Sequence, residues 1–355
     1  MPEPLLSHPL PPMIERNLRA QALLPSQRPL IDFFSRQLEA FQSSGAKFQV
    51  ICTLPGQRAA SVVVLAPSPP QTRPRTLVVL DSSFNPPTIA HLRMATSALR
   101  DSRENKDDNG KRSEENSRLR LLLLLAINNA DKAPKPAAFE QRLAMMWAFA
   151  KDIQETLSRN LKDAETEQEP VPEEQEREEG LSIDLGLSTD PYFTNKSAAI
   201  AASPFYLTTG EASEKEPEQI ILAGYDTLIR IFNPKYYGEP SGTSEAPIRS
   251  ALDPFFARAR LRITMRTDDE WGGKEEQLAY LESLLTGDRL EEIGGNKKWV
   301  ERIDMVEGRV DGEDIVSSTL ARDAAGEQDW ESLGKMVSPH VQKWVEVAKL
   351  YTEGK

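Results

Sequence analysis

The segment Thr76-Leu-Val-Val-Leu-Asp-Ser-Ser-Phe-Asn-Pro-Pro-Thr-Ile-Ala-His91 is the strongest indicator of the fold. Its first five residues form a continuous apolar run, which is typical of a strand covered on both faces of a sheet. Two prolines stiffen the turn that follows, and His91 falls in the first turn of a predicted helix, Ile89 to Arg100. A buried strand that leads through a short turn into a helix indicates an α/β protein.

Strands and helices alternate after this segment, which predicts a doubly wound parallel sheet of the Rossmann-like type. The further predicted strands are Arg118 to Ala126, Ile220 to Ala223 and Arg260 to Met265. The further predicted helices are Phe139 to Leu161, Asp226 to Phe232, Glu275 to Leu285 and, after an N-cap at Ser338, Pro339 to Tyr351. Sheets of this type bind ligands at the carboxyl ends of their strands, which is where the segment's turn lies.

The N-terminal part of the chain is predicted to be an arm followed by an extension of the main domain. Residues 1–29 are rich in proline and lack apolar periodicity, so we interpret them as an irregular arm. Residues 30–74 are predicted to contain a helix that begins near Leu30 and two strands, Lys47 to Thr53 and Ser61 to Leu65. This gives the α/β sheet an N-terminal extension of one helix and two strands.

The main domain is expected to span residues 75–355 and to carry two charge-dense insertions, near residues 101–117 and 163–180. Neither insertion has enough apolar surface to order itself, so we expect both to be disordered. The second contains nine acidic residues and one basic residue and carries −8 of the net charge of −12. Most charge runs of this kind are solvated tethers, but this one could recruit a basic protein partner.

The composition excludes several classes of protein. The single cysteine, Cys52, forms no intramolecular disulfide and excludes thiol-rich zinc sites. The longest apolar run, Leu121 to Ile127, is much shorter than the roughly 20 residues that cross a bilayer. The N-terminus also lacks the basic start and apolar stretch of a secretory signal. We therefore expect an intracellular, soluble protein, cytoplasmic, nuclear or both, with neither a membrane nor a nucleic acid as partner.

The turn after the first strand suits a phosphate group. Asn85 and Thr88 offer short polar contacts, and the free N–H groups and dipole at a helix start favour an anion. The candidate phosphate ligands in this turn are Ser82, Ser83, Phe84, Asn85, Thr88 and His91. A histidine alone at this position could simply cap the helix of a rigid turn.

Two later segments offer complementary chemistry. In Ile315-Val-Ser-Ser-Thr-Leu-Ala-Arg322, the residues Ser317, Ser318 and Thr319 would begin a short helix, and Arg322 follows one turn later with a guanidinium suited to phosphate. This is also the pattern of a good helix cap with a surface arginine. In Ile221-Leu-Ala-Gly-Tyr-Asp226, the strand ends in Gly224 and Asp226, whose carboxylate can accept hydrogen bonds from a ribose or cap the next helix.

These three segments, in this order, resemble the motifs of the nicotinamide mononucleotide adenylyltransferase family. That family belongs to the nucleotidyltransferase superfamily with a T/H-x-x-H motif, and the resemblance spans about Thr76 to Tyr351, as in a divergent member of fungal type. Ser82 and Ala90 depart from the pattern, because the family usually has glycine at the first position and often at the second. A side chain at position 82 could narrow the approach of a phosphate to the backbone.

The resemblance implies a nicotinamide-nucleotide adenylyltransferase that forms NAD and pyrophosphate from nicotinamide mononucleotide and ATP, with Mg²⁺ as cofactor. It implies catalytic roles for His91, near the α-phosphate, and for Arg322, which would hold the leaving pyrophosphate with Ser317 and Ser318. It also assigns Thr319 to the triphosphate, and Gly224 and Asp226 to a ribose. The candidates for binding the mononucleotide are Lys132, Lys135, Arg142 and Phe193. No side chain is predicted as a metal ligand.

Three alternatives remain open on the sequence. The chain could be a related nucleotidyltransferase with another acceptor, since the same superfamily includes enzymes that use phosphopantetheine, cytidine nucleotides or flavin precursors. It could instead be a catalytically silent sensor that binds a nucleotide, which Ser82 and the long insertions permit. The acidic insertion near residues 163–180 also allows a scaffold that recruits a partner.

Overall fold

The computed structural model describes residues 27–56, 65–104, 118–128, 137–165, 181–207, 216–238, 246–266, 271–308 and 313–352. Within these ranges one sheet contains the strands β1 (Phe48–Leu54), β2 (Thr76–Asp81), β3 (Leu119–Ala126), β4 (Ile183–Ser188), β5 (Glu218–Gly224), β6 (Ala259–Thr264) and β7 (Ile303–Val306).

The helices cover both faces of this sheet. They are α1 (Gln27–Ser44), α2 (Ile89–Glu104), α3 (Phe139–Glu165), α4 (Phe193–Ala201), α5 (Tyr225–Ile231), α6 (Pro247–Arg258), α7 (Lys274–Thr286), α8 (Arg289–Glu292), α9 (Ser318–Gly326), α10 (Trp330–Met336) and α11 (Pro339–Val347). Short 3-10 helices cover Pro204–Tyr206, Pro234–Tyr236 and Lys297–Arg302. None of the described helices is long and apolar enough to cross a bilayer.

The strand order is β1-β4-β3-β2-β5-β6-β7. All neighbouring strands are parallel except β1, which pairs antiparallel with β4 at the edge. From β2 the chain builds the sheet in one direction through β3 and β4, and from β5 in the other direction through β6 and β7. The predicted doubly wound α/β fold is confirmed, and its strand order reverses between β2 and β5, where such sheets bind ligands.

The alternation of side chains along β2 explains why both faces of the sheet are covered. Val78 and Leu80 point into one apolar core, shared with α1, α2, α3 and α11, whereas Leu77 and Val79 point into a second core, shared with α5, α6 and α7. Successive residues of a strand face opposite sides, so a strand that is apolar throughout needs helices on both. The continuous apolar run of the sequence therefore forms a strand that is covered on both faces, as predicted.

Several elements differ from the sequence predictions. The helix that begins at Ile89 continues to Glu104, and the last helix ends at Val347 instead of Tyr351. The strands β4 and β7 and the helices α4 and α6 have no counterpart among the predictions. In β4 the polar Asp184 and the small Gly186 interrupt the apolar run that marks β2 and β3.

Contacts to distant parts of the chain compensate for these two residues of β4. Arg120 of β3 donates hydrogen bonds of 2.8 Å to both carboxylate oxygens of the fully buried Asp184. Thr53 of β1 donates a third, of 2.7 Å. A Cβ atom at Gly186 would lie 2.9 Å from Leu122 Cδ1, so a larger residue would displace the Leu122 side chain that packs there.

Some predicted features fall outside the described residues. They are residues 1–26 of the arm, the strand from Ser61 up to residue 64, and residues 105–117 and 166–180 of the two insertions. The first residues of each insertion, 101–104 and 163–165, continue α2 and α3. The division into arm, extension and transferase domain, and the expected disorder of the insertions, remain predictions.

Candidate active site

A cleft of about 380 Å³ opens at the carboxyl ends of β2 and β5, where the strand order reverses. The starts of α2, α5 and α9 line it, so the three sequence segments meet here although more than 200 residues separate the first from the last. The predicted site residues that line the cleft are Ser82, Thr88, His91, Phe193, Gly224, Asp226, Ser317 and Ser318. The predicted residues of the described ranges that do not line it are Ser83, Phe84, Asn85, Arg142, Thr319 and Arg322.

The imidazole of His91 is held in one orientation by its own turn. The backbone N–H of Thr88 donates to His91 Nδ1 at 3.1 Å, and the Thr88 hydroxyl lies 2.8 Å from the same nitrogen. Because a backbone N–H can only donate, Nδ1 is the acceptor and the neutral ring carries its proton on Nε2. That Nε2–H donates to the Ser82 hydroxyl oxygen at 2.9 Å.

Burial lowers the pKa of His91 from 6.5 to about 4. The ring is therefore neutral near pH 7, and its Nδ1 lone pair is already occupied by Thr88. Such a histidine presents a hydrogen-bond donor to the cleft and is poorly suited to act as a general base. Ser82, which departs from the family pattern, provides the acceptor for this donor.

Phe84 and Asn85 are predicted as phosphate ligands, but their side chains serve the turn itself. Phe84 has a left-handed φ of 46°, and its fully buried ring packs 6.3 Å from that of Phe149 between centroids. Asn85 Oδ1 accepts hydrogen bonds from the backbone N–H of Ala137, at 3.0 Å, and from the Tyr351 hydroxyl, at 2.8 Å. Contact of either residue with a phosphate would therefore come from its backbone. Ser83 is exposed beside the cleft.

The start of α9 forms the opposite wall of the cleft. Ser317 is the N-cap, since its hydroxyl oxygen accepts the backbone N–H of Leu320 at 3.1 Å. Ser318 donates its hydroxyl to the carbonyl oxygen of Pro86 at 2.9 Å. This hydrogen bond connects the third sequence segment directly to the first, so the N–H groups that begin α9 lie close to the turn that carries His91.

Arg322 lies beside this contact and reinforces it. Its guanidinium donates through Nη1 to the carbonyl oxygen of Asn85 at 2.8 Å and through Nη2 to the hydroxyl of Thr319 at 3.0 Å. The sequence predicts that Arg322 and Thr319 bind the triphosphate. In the structure they bind each other and the first turn, which leaves part of the guanidinium and its positive charge next to the cleft.

Gly224 and Asp226 lie together where β5 ends. Gly224 is the N-cap of α5, and no side-chain cap is formed there, so Asp226 does not cap the helix. A Cβ atom at position 224 would lie 2.7 Å from Asp226 Oδ1, which explains the glycine at this spacing. The Asp226 carboxylate is 3.7 Å from a guanidinium nitrogen of Arg266, which also lines the cleft.

Of the four residues predicted to bind the mononucleotide, two lie in the described part of the chain. Lys132 and Lys135 lie outside the described residues. Arg142 is buried, donates to the carbonyl oxygen of Ala137 at 2.8 Å and lies 4.8 Å above the ring of Phe139. Burial and the nearby positive charge of Arg322 lower its pKa. Phe193, the first residue of α4, is the candidate that lines the cleft.

Asp81 and Lys196 are cleft residues that the sequence predictions missed as a site. Asp81 ends β2, lines the cleft and is 2.5 Å from the ammonium of Lys196, with both side chains less than a tenth exposed. Lys196 Nζ also lies 5.4 Å from the centre of the Phe193 ring. The position of Asp81 at the carboxyl end of a buried strand was the available signal, but nothing local indicates its partner.

A second cluster of titratable residues lies outside the cleft. His340 Nδ1 is 2.7 Å from Asp152 Oδ1, and His340 Nε2 is 3.6 Å from Glu155 Oε1. These three side chains have the donor atoms of a possible metal group. None of them lines the cleft, and the hydroxyl of Ser338 and the backbone N–H of His340 also donate to Asp152, so the cluster attaches α11 to α3.

The chain is similar in sequence and in structure to known proteins. No protein-family model matches the chain. The chain is 29% identical over 278 residues to a curated Schizosaccharomyces pombe protein named "Putative nicotinamide mononucleotide adenylyltransferase", which covers 78% of this chain and 86% of that protein. Among solved structures, it is similar to Plasmodium falciparum nicotinic acid mononucleotide adenylyltransferase complexed with NaAD, with 13% identity, 79% and 98% coverage and a TM-score of 0.39. The same enzyme complexed with APC gives 13% identity, the same coverage and a TM-score of 0.38.

The doubly wound sheet with a cleft at its switch point, together with the curated relative, supports a nucleotidyltransferase of the adenylyltransferase kind. Within that class, the curated relative confirms the resemblance to the nicotinamide mononucleotide adenylyltransferase family.

Proposed function

We propose that the chain transfers the adenylyl group of ATP to nicotinamide mononucleotide, forming NAD and pyrophosphate. The observation that carries this proposal is the meeting of two helix N-termini, those of α2 and α9, in one cleft with the Nε2–H of His91. Helix N-termini offer free N–H groups and a favourable dipole for phosphate oxygens. Two of them facing one cleft suit a polyphosphate better than a single phosphate.

The reaction needs no protein nucleophile. A phosphate oxygen of nicotinamide mononucleotide forms a bond with the α-phosphorus of ATP, while the bond from that phosphorus to the bridging oxygen of the β-phosphate breaks. The electron pair of the broken bond leaves with pyrophosphate. Since the attacking phosphate is already an anion, the protein contributes by aligning the two nucleotides and stabilising the charge that develops.

Each part of the cleft has a proposed role in this step. The Nε2–H of His91 exchanges its Ser82 partner for an oxygen of the α-phosphate. The backbone N–H groups of Ser317 and Ser318 and the Ser317 hydroxyl bind the leaving pyrophosphate, and Arg322 adds positive charge while fixing the turn at Asn85. The Asp226 carboxylate accepts hydrogen bonds from the hydroxyls of a ribose.

Mg²⁺ is part of the proposal because the transferred group carries several negative charges. Mg²⁺ prefers oxygen ligands and is usually held by one or two carboxylates together with substrate phosphates. The carboxylate of Asp314, which lines the cleft, fits that pattern. When bound, the ion would neutralise charge on the phosphate oxygens and the leaving pyrophosphate.

An assay of pyrophosphate release tests the proposal. The full chain is incubated with Mg²⁺, ATP and one acceptor at a time: nicotinamide mononucleotide, nicotinic acid mononucleotide, a phosphopantetheine, a cytidine nucleotide or a flavin mononucleotide. We expect release with a pyridine mononucleotide and formation of the matching dinucleotide, with a reaction that lacks acceptor as the control. Turnover only with another acceptor, or ATP binding without turnover on any of them, would refute the proposal.

A further inference from the structure

Asp81 and Lys196 form an ion pair at the part of the cleft that also contains Phe193. The pair is 2.5 Å long, and its side chains are 7% and 8% exposed. The residues come from different elements, the end of β2 and the middle of α4, and are 115 positions apart in the chain. Of the two, Asp81 faces the cleft and Lys196 lies next to it, against the Phe193 ring.

Stability alone does not account for this pair. Removing two charges from water has a free-energy cost that their attraction often fails to recover, so a buried ion pair is weak evidence of stabilisation. Lys196 hydrogen-bonds the Oδ2 atom of Asp81, while within the described part of the chain Oδ1 has no hydrogen-bond partner. The pair therefore presents a carboxylate oxygen to the cleft as a hydrogen-bond acceptor.

We propose that Asp81, held in position by Lys196, selects a mononucleotide with a carboxamide over one with a carboxylate. This inference rests on the proposed function, because it assumes that a pyridine ring packs against Phe193. A carboxamide on that ring can donate an N–H to Asp81. A carboxylate has no proton to donate and repels Asp81, so it leaves a desolvated acceptor unpaired.

Lys196 is a positioning residue in this scheme. Its ammonium is held by Asp81 and by the face of the Phe193 ring, which keeps it from turning toward a carboxylate on the substrate. If Asp81 lost its charge, the ammonium of Lys196 would lose its anionic partner beside the Phe193 ring and could attract a carboxylate on the substrate. The preference should then shift toward the acidic mononucleotide.

The experiment compares kcat/KM for nicotinamide mononucleotide and nicotinic acid mononucleotide in the full chain and in Asp81→Asn. A hydrogen bond to a charged group corresponds to about tenfold or more in specificity, so the unaltered chain should prefer the amide by at least about tenfold. Asp81→Asn should reduce that ratio about tenfold or more, mainly through a gain with the acid. Thermal unfolding of both proteins confirms that the variant is folded.

The matched control is Asp314→Asn, which removes another carboxylate that lines the cleft, contributed by the segment before α9. It should change kcat/KM for both acceptors by the same factor. If Asp81→Asn and Asp314→Asn shift the ratio equally, or if the unaltered chain prefers the acid, the inference is wrong. If neither pyridine mononucleotide is a substrate of the folded protein, the proposed function itself has failed. Should Asp81→Asn not fold, Asp81→Ser, which also removes the carboxylate and keeps Lys196, provides the same comparison and should also lower the ratio.

Discussion

Two of the chain's histidines, His91 and His340, lie in described regions, and their environments are opposite. His91 lines the cleft, is contacted by hydroxyls and a backbone N–H, and has a pKa lowered to about 4 by burial. His340 is buried between α3 and α11 beside Asp152 and Glu155. Burial lowers its pKa, but the hydrogen bond and charge of Asp152, together with Glu155, outweigh that effect and raise it.

The comparison shows that neighbours, not residue type, decide what a histidine does here. His91 is kept neutral and offers a hydrogen-bond donor to a ligand, whereas His340 is stabilised as a cation and joins two helices. The first should therefore control turnover and the second stability. Substitutions at the two positions test this separation.

The largest expected effect is on stability, from His340→Ala. Removing one partner from a buried charged pair costs about 3–5 kcal/mol, because Asp152 would remain buried without its cation. Denaturant unfolding should show a loss of this size, while the turnover number of the protein that remains folded should change little. A loss below about 1 kcal/mol would show that Ser338 and the backbone of α11 satisfy Asp152 without the imidazole.

The next effect is on catalysis, from His91→Ala. Loss of one preorganised donor to a developing charge typically lowers kcat about 10²–10³-fold. We expect that decrease in pyrophosphate release, with a far-ultraviolet circular dichroism spectrum like that of the unaltered chain. His91→Gln, which can place an N–H near the same point, is the matched control and should recover part of the rate. Near-normal turnover of the alanine variant would remove His91 from the mechanism.

The smallest expected effect is a difference in the pH dependence of stability. The pKa of His91 is lower in the folded protein than in the unfolded chain, so its contribution is fully present above about pH 6.5 and is lost as the pH falls toward about 4. His340, with its raised pKa, contributes below the pKa of the unfolded chain and loses that contribution as the pH rises through its folded pKa. As the pH falls, the titration of His91 therefore lowers the stability of the fold, whereas that of His340 raises it.

Unfolding free energies measured between pH 4.5 and 7 can separate these contributions. As the pH falls from 7 to 4.5, the unfolding free energy of the unaltered chain should decrease by about 1–2 kcal/mol more than that of His91→Ala. This value allows for the partial exposure of the His91 ring. Over the same pH change, the unfolding free energy of His340→Ala should decrease by more than that of the unaltered chain. The variant lacks the stabilisation that His340 provides at low pH. Parallel curves for all three proteins would contradict the assignment of the two pKa shifts.

Much of the cleft could be predicted from the sequence because its signals are local. The apolar run Thr76 to Leu80, the turn to His91 and the serines before α9 each indicate a strand end or a helix start, and such ends meet at one edge of a parallel sheet. In the structure Thr88, His91 and Ser317 line the cleft, and their roles in binding stay predictions. The local signals could not show that the Asn85 side chain is already engaged by Ala137 and Tyr351.

By itself, then, the sequence determined the α/β class, the switch-point location of the cleft and the resemblance to a family, since these depend on periodicity and on short motifs. Only the tertiary structure decided that β4 lies between β1 and β3, that Arg322 fixes the first turn and that Asp81 meets Lys196. The physical reason is the distance along the chain over which each kind of signal acts. Hydrophobic periodicity acts over one turn or strand, whereas the partner of a buried charge is chosen by the register and packing of elements far apart in the chain.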